Sequence, residues 1–85
     1  MLVEKRFDSG EVVLNYAEGP DNGPSLLLLH GFTSRWQFYL PLIPFLESRY
    51  HIYAPDLRGH GKSQRTPGQY NYDNDFQDLQ SFLAN

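Results

Sequence analysis

The chain has 85 residues, enough for one small domain, and its lack of cysteine excludes disulfides, zinc-cysteine clusters and a thiol nucleophile. A formal net charge of -3, with seven scattered lysines and arginines, argues against a nucleic-acid partner. We find no secretory leader and no apolar run long enough to cross a bilayer, so we expect a cytoplasmic protein with no membrane partner.

The first elements predict an antiparallel hairpin. Residues 3–7 and 11–17 are rich in β-formers, and the turn 8–10 between them contains a glycine that can adopt a positive φ. Residues 19–24 are almost entirely turn formers, which predicts a surface loop after the second strand.

Two apolar runs predict parallel strands. Residues 26–29 are four consecutive leucines without polar alternation, as expected for a strand covered on both faces of a sheet. A second run at 51–55 follows after about twenty residues, which is enough for a helical crossover. The unit is therefore predicted to be βαβ.

The segment between these strands is predicted to contribute a core-facing stripe. Prolines at 41 and 44 cannot both lie inside one regular helix, so we expect a short turn near 35–40 and a helix from about 41–42. Apolar side chains recur at spacings of three and four: Trp36, Tyr39, Leu40, Ile43, Leu46 and Tyr50.

The remaining chain predicts a long loop and a final helix. Residues 56–69 are too rich in glycine and charge for regular structure. From residue 72 to the end, an apolar face recurs at helical spacing, and acidic residues at 73 and 75 suit the positive end of the helix dipole. That face comprises Tyr72, Phe76, Leu79, Phe82 and Leu83.

The strongest candidate for chemistry is His30-Gly31-Phe32, which follows the first parallel strand. Ligands bind at this end of open α/β sheets, and the Phe32 backbone N–H there is suited to stabilising an oxyanion. The residues leave an alternative open, namely an ordinary turn in which Gly31 relieves crowding and Ser34 caps the next helix. We expect His30 to orient the loop rather than transfer protons.

The sequence does not match the motifs for nucleotide binding, metal binding or a nucleophile turn. A phosphate-binding loop would need glycine at Asp56, and a dinucleotide fingerprint would need glycine at Gln64. A metal site from His30, Asp56 and His60 has no supporting spacing, so we expect neither metal nor cofactor. No G-x-S-x-G turn occurs, which leaves Ser63 as a loop serine that hydrogen-bonds the local backbone.

The order of these pieces resembles the α/β-hydrolase superfamily. The resemblance rests on the hairpin, LLLLHGF at 26–32, the Trp36 segment and YHIYAPDLRGHGKS at 50–63, and it covers essentially the whole chain. It implies an α/β fold with an antiparallel hairpin, a parallel βαβ unit and a further helix. Residues 1–85 are then a partial domain with an incomplete sheet, ending before the nucleophile elbow.

The resemblance also implies a function. The Phe32 N–H would be one arm of an oxyanion hole, with His30 and Gly31 shaping its loop. The nucleophile, acid and histidine would lie beyond this chain, in a hydrolase acting on a small-molecule ester or related carbonyl substrate, so we expect the 85 residues alone to be inactive. The alternative is a noncatalytic truncated remnant or a binding protein of the same fold.

Family sheets place the strand predicted at 26–29 between the second parallel strand and the elbow strand. Without the elbow strand, its leucines would lie at an exposed sheet edge. The resemblance therefore predicts poor solubility of the isolated chain and self-association through that edge.

Overall fold

A computed structural model describes residues 1–84. Four strands form one sheet: β1 (Val3–Asp8), β2 (Val13–Glu18), β3 (Ser25–Leu27) and β4 (His51–Pro55). Their order in space is β1-β2-β4-β3, so the first and third strands are the edges. This is the incomplete α/β sheet that the sequence predicts.

The helical elements are short except for the last. A 3-10 turn (Trp36–Tyr39) precedes α1 (Ile43–Leu46), and α2 (Tyr72–Leu83) lies at the end of the described chain. Within residues 1–84, no helix combines the length and the apolar character needed to cross a membrane.

The predicted hairpin is confirmed, with a longer turn. β1 and β2 pair antiparallel from Val3 opposite Glu18 to Asp8 opposite Val13. The second strand begins two residues later than predicted because the Ser9 hydroxyl accepts the N–H groups of residues 11 and 12, which keeps both in the turn.

The predicted parallel pairing is also confirmed. β3 pairs with β4 from Ser25 opposite His51 to Leu27 opposite Tyr53, and the Leu28 N–H still reaches the Tyr53 carbonyl at 2.9 Å. The strand is shorter than the predicted 26–29.

The prediction that the leucines are covered on both faces is wrong. Residues 26–28 are half-buried and Leu29 is exposed. In the described chain β3 has a neighbouring strand on one side only, which confirms the predicted exposed edge.

The crossover segment packs against one face of the sheet. Trp36 and Ile43 form a buried cluster with Ile52, Ala54 and Ala17. The predicted stripe is largely confirmed, since its other members at 39, 46 and 50 pack around this cluster.

Leu40 is the exception in that stripe, because its side chain is exposed. The prediction assumed one continuous helical face. The structure has a 3-10 turn of about three residues per turn followed by a separate short helix, so the 3.6-residue periodicity is interrupted at Leu40.

Helix α2 begins where the sequence predicts and is capped by Asn71, whose side chain accepts the Asn74 N–H at 2.8 Å. At its other end Phe82 is buried, with ring centroids 5.6 Å from Phe7 and 5.0 Å from Tyr16. This edge-on aromatic cluster anchors the last turn of the helix to the sheet.

The rest of the predicted apolar face of α2 is not buried. Tyr72, Phe76 and Leu83 are mostly exposed, and only Phe82 is fully covered. The helix has the predicted periodicity, but apart from Phe82 and the half-buried Leu79 its apolar face is exposed.

Candidate functional site

His30 connects the loop after β3 to the loop after β4. Its ring is buried, Nε2 accepts the Leu57 N–H at 3.0 Å, and Nδ1 lies 2.6 Å from the Gly31 carbonyl oxygen. A carbonyl only accepts and a backbone N–H only donates, so the imidazole is neutral with its proton on Nδ1. Both nitrogens are occupied by backbone partners, which favours the predicted orienting role.

The Phe32 amide is the candidate oxyanion donor. Within residues 1–84 its N–H donates to no acceptor, and its side chain is exposed. An unsatisfied backbone donor beside a groove is available to a ligand.

Gly31 contributes open space beside that donor. Its φ is not positive, and a Cβ built on it meets no heavy atom within 4 Å in the structure. The alternative that this glycine relieves crowding therefore has no support among the described residues.

Thr33 has a strained backbone. Its φ is 63°, a left-handed conformation that is a genuine outlier for a β-branched residue. Its N–H donates to His60 Nε2 at 3.1 Å and its hydroxyl to the Phe32 carbonyl oxygen at 2.6 Å. No feature of the sequence predicts this conformation.

The alternative that Ser34 caps the next helix is wrong. Arg35 occupies the cap position of the 3-10 turn and makes no side-chain capping bond. The Trp36 N–H instead donates to Asp56 Oδ1 at 2.7 Å, so a carboxylate from the end of β4 takes the capping role.

Asp56 organises the loop after β4 from a fully buried position. Besides Trp36, its carboxylate accepts the Asn15 side-chain amide at 3.0 Å and the Lys62 N–H at 3.3 Å. Gly61, at φ 51°, packs so closely that a Cβ there would overlap the Asp56 carboxylate. Sequence reasoning places this acid at a strand end but gives no sign of its partners.

Ser63 is buried in the same network. Its hydroxyl donates to the Asp56 carbonyl oxygen at 2.7 Å and accepts the Asn15 N–H at 2.8 Å. The prediction that this serine hydrogen-bonds the backbone is confirmed, although one of its partners is 48 residues away rather than local.

Glu4 on β1 supports the Trp36 segment from the other side. Its carboxylate accepts hydrogen bonds from Lys62 Nζ at 2.8 Å, Trp36 Nε1 at 3.0 Å and Asn15 Nδ2 at 2.9 Å. These bonds, that from Lys62 first, lower the pKa of Glu4 to about 2.

A groove of about 460 Å³ lies between the loop after β3 and the start of α2, and Phe32 is one of its lining residues. Its walls are mainly apolar, with two carboxylates at the rim. Burial, with a smaller effect from Asp78, raises the pKa of the Asp75 carboxyl there. The lining residues are Leu29, His30, Gly31, Phe32, Leu57, Tyr72, Asp73, Asp75, Phe76 and Leu79.

The structure brings His30 and His60 together, with ring centroids 5.0 Å apart, whereas His51 lies elsewhere, 2.6 Å from a Glu18 carboxylate oxygen. In the part of the chain that is described, no group of His, Cys, Asp and Glu side chains has an arrangement that could hold a metal ion.

Comparison with known proteins gives a consistent picture. The family model for the α/β hydrolase fold matches residues 24–84. The magnesium-chelatase 30 kDa subunit of Rhodobacter capsulatus is 48% identical over 48 residues, which is 56% of this chain and 17% of that protein. Fluoroacetate dehalogenase of a Burkholderia species is 39% identical over 66 residues, which is 76% of this chain and 21% of that protein.

Among solved structures, E-2-(acetamidomethylene)succinate hydrolase superposes with a TM-score of 0.88 at 31% sequence identity. The match covers 99% of this chain and 31% of that enzyme. The chain thus spans less than a third of the length of each of these three similar proteins.

Proposed function

Because this chain belongs to the α/β-hydrolase-fold family, we propose that it supplies the oxyanion-binding arm of an enzyme that hydrolyses a small-molecule ester or related carbonyl compound. In this proposal, the Phe32 N–H donates to the oxygen that becomes negative when a nucleophile adds to the substrate carbonyl. The nucleophile, the histidine and the acid of the triad lie in a part of the protein that follows residue 85.

Two observations at one residue carry the proposal: within residues 1–84 the Phe32 N–H has no acceptor, and Phe32 lines an open groove. Gly31 leaves space for a substrate at the same point, and both neighbouring loops are fixed by His30. A preorganised donor of this kind is effective because it does not need to reorient when charge develops. Loss of one such donor typically costs about a hundredfold to a thousandfold in kcat.

The chain alone is proposed to be inactive. Hydrolysis through a covalent intermediate needs an activated nucleophile and a base within hydrogen-bond reach of it. Ser63, the serine nearest to a nucleophile turn in sequence, is buried with its hydroxyl committed to the backbone. The residues that line the groove include no serine and no histidine other than His30, whose two ring nitrogens are both hydrogen-bonded to the backbone.

The nucleophile itself is either serine or aspartate. A serine would attack a carbonyl carbon and form an acyl-enzyme, whereas an aspartate would displace a leaving group from a saturated carbon. The proposed carbonyl chemistry makes direct use of an oxyanion donor, which favours serine. The similar proteins named above include both a hydrolase and a dehalogenase, so the nucleophile has to be identified directly.

The test begins with the codons after Asn85. We expect an apolar strand leading into a G-x-S-x-G turn, with an aspartate and a histidine further on. The protein encoded by the complete gene should then react with a fluorophosphonate at that serine and hydrolyse p-nitrophenyl esters. A G-x-D-x-G turn would instead indicate an aspartate nucleophile and displacement at a saturated carbon. If neither turn is encoded, the noncatalytic or binding alternative replaces this proposal.

A pair of variants isolates the Phe32 amide in that protein. Phe32→Pro removes the N–H and should lower kcat about a hundredfold or more. Phe32→Leu keeps the N–H and should retain kcat within about threefold. Equal loss in both variants would place the effect in the side chain and contradict the oxyanion role, provided that thermal melting shows both variants folded.

A further inference from the structure

The direction of the Phe32 N–H is set by the peptide unit that it shares with Gly31. A trans peptide is planar, so the carbonyl of one residue and the N–H of the next point in opposite directions. His30 Nδ1–H donates to the Gly31 carbonyl oxygen at 2.6 Å. The bond that holds this carbonyl therefore also aims the Phe32 N–H.

The following peptide unit is held by a second histidine. It carries the Phe32 carbonyl and the Thr33 N–H, and that N–H donates to His60 Nε2 at 3.1 Å. Thr33 is left-handed at φ 63°, a strained conformation for a β-branched residue that persists only where the surroundings impose it. Among the hydrogen bonds of residues 1–84, the bond to His60 is the one that reaches Thr33 from outside its own loop.

His60 is itself fixed in the state that this bond requires. Its Nδ1 lies 3.0 Å from the Arg58 carbonyl oxygen, which can only accept, so Nδ1 carries the proton and Nε2 presents its lone pair to Thr33. Arg58 is in turn held by two hydrogen bonds to Asp78 on helix α2. A continuous set of contacts thus joins the helix to the loop that bears Phe32.

We propose that His60 is a positioning residue for the oxyanion hole. By accepting the Thr33 N–H it holds the left-handed turn after Phe32. Together, His60 and His30 fix the two peptide units on either side of the Phe32 Cα. His60 does not contact the substrate or exchange a proton with it. The inference rests on the proposed function, because the value of a fixed Phe32 N–H lies in the charge it stabilises.

Two substitutions separate the acceptor from the ring. His60→Phe keeps an aromatic ring beside His30 and Phe32, whose centroids lie 5.0 and 6.2 Å away, but removes the acceptor. His60→Gln restores a side-chain oxygen near the position of Nε2. In the complete protein, His60→Phe should lower kcat roughly tenfold to a hundredfold with KM changed less than about threefold, and His60→Gln should recover most of that loss.

The matched control is His51→Phe, which likewise keeps a ring and removes the imidazole nitrogens, but at a histidine that contacts Glu18 and Tyr53 instead of the loop. It should leave kcat and KM unchanged. Unaltered kcat in His60→Phe, or equal losses in the phenylalanine and glutamine variants, would overturn the positioning role.

A spectroscopic measurement tests the same inference without any activity. Long-range ¹H–¹⁵N spectra of the complete protein at neutral pH should show His60 as the neutral Nδ1–H tautomer, and His60→Phe should shift the Thr33 and Phe32 amide signals far more than His51→Phe does. An Nε2–H tautomer at His60 would contradict the inference even in a protein with no hydrolase activity. Conversely, the expected tautomer in an inactive protein would refute the proposed function and leave the contact between His60 and Thr33 standing.

Discussion

The Arg58 guanidinium and the Asp78 carboxylate form two hydrogen bonds of 2.6 Å each, and their side chains are 4% and 3% exposed. This bidentate pair joins the loop after β4 to helix α2. Since Arg58 also presents its carbonyl oxygen to His60, the pair supports the site as well as the fold.

Breaking the Arg58–Asp78 pair should strongly lower the free energy of unfolding. Asp78→Asn removes one charge and leaves the Arg58 charge buried, which destabilises a protein by about 3–5 kcal/mol. Lys5→Met is the matched control, because it breaks an exposed ion pair with Glu18 that contributes about 1 kcal/mol or less. Urea unfolding measures both. Similar losses in the two variants would show that the Arg58–Asp78 pair is no stronger than a surface pair.

The contact between Gly61 and Asp56 predicts that alanine at position 61 lowers the free energy of unfolding more than alanine at position 68 does. Gly61 and Gly68 both have a positive φ, at 51° and 82°, but only Gly61 would place a Cβ against the Asp56 carboxylate. Alanine at either position pays about 1–2 kcal/mol for its left-handed backbone. Gly61→Ala should cost about 1–3 kcal/mol more, because the buried carboxylate has to shift.

Thermal or urea unfolding of the two alanine variants gives that difference directly. Asp56→Asn is a further variant for the same measurement. It keeps the shape of the side chain while weakening the three hydrogen bonds that the Asp56 carboxylate accepts. Equal costs for Gly61→Ala and Gly68→Ala would mean that the loop after β4 relaxes freely around Asp56.

The lowered pKa of Glu4 predicts how the free energy of unfolding depends on pH. Its folded-state pKa is about 2, below the ordinary 4.5, so its ionised form favours the folded state. This contribution is fully present above about pH 4.5 and is lost as the pH falls towards 2. Because the side chain is partly exposed, we expect about 1 kcal/mol or less at neutral pH.

The measurement is the difference in free energy of unfolding between the parent and Glu4→Gln across that range. The difference should be constant above about pH 4.5 and shrink towards pH 2. The matched control is Glu11→Gln, at an exposed carboxylate in the hairpin turn, which leaves the Lys62 and Trp36 bonds to Glu4 in place. A difference that stays constant down to pH 2 would contradict the role of the Lys62 and Trp36 bonds to Glu4.

The exposed edge of β3 predicts self-association of the isolated 85-residue chain. The strand has a partner on one side only, and Leu29 extends the apolar surface at its end. The weight-average mass measured by sedimentation equilibrium should rise with protein concentration. Leu29→Lys should suppress that rise, while Leu42→Lys, at a more exposed leucine in the crossover, should not. A monodisperse monomer of the parent chain would refute this prediction.

Several elements are predictable from the sequence because their signals are local. The hairpin depends on β-formers around Gly10, β4 has the predicted bounds His51–Pro55, and the crossover is interrupted where Pro41 and Pro44 predict. The family resemblance adds the importance of Phe32, which the residues alone leave as one of two alternatives.

The rest depends on contacts between distant parts of the chain. The burial of Leu26 to Leu29 depends on which elements pack against their strand, which no property of that run encodes. Asp56 collects partners 20 and 41 residues away, and Thr33 is held left-handed by a histidine 27 residues further on. Such geometry emerges only when the loops after β3 and β4 meet.

The most direct test of the central claim is a crystal structure of the complete protein after reaction with a phosphonate that mimics the tetrahedral intermediate. We predict that a phosphoryl oxygen lies about 3 Å from the Phe32 backbone nitrogen, with His30 still bonded to the Gly31 carbonyl. A phosphoryl oxygen held by other donors, with the Phe32 N–H directed away from it, would contradict the assignment of this chain as an oxyanion-binding arm.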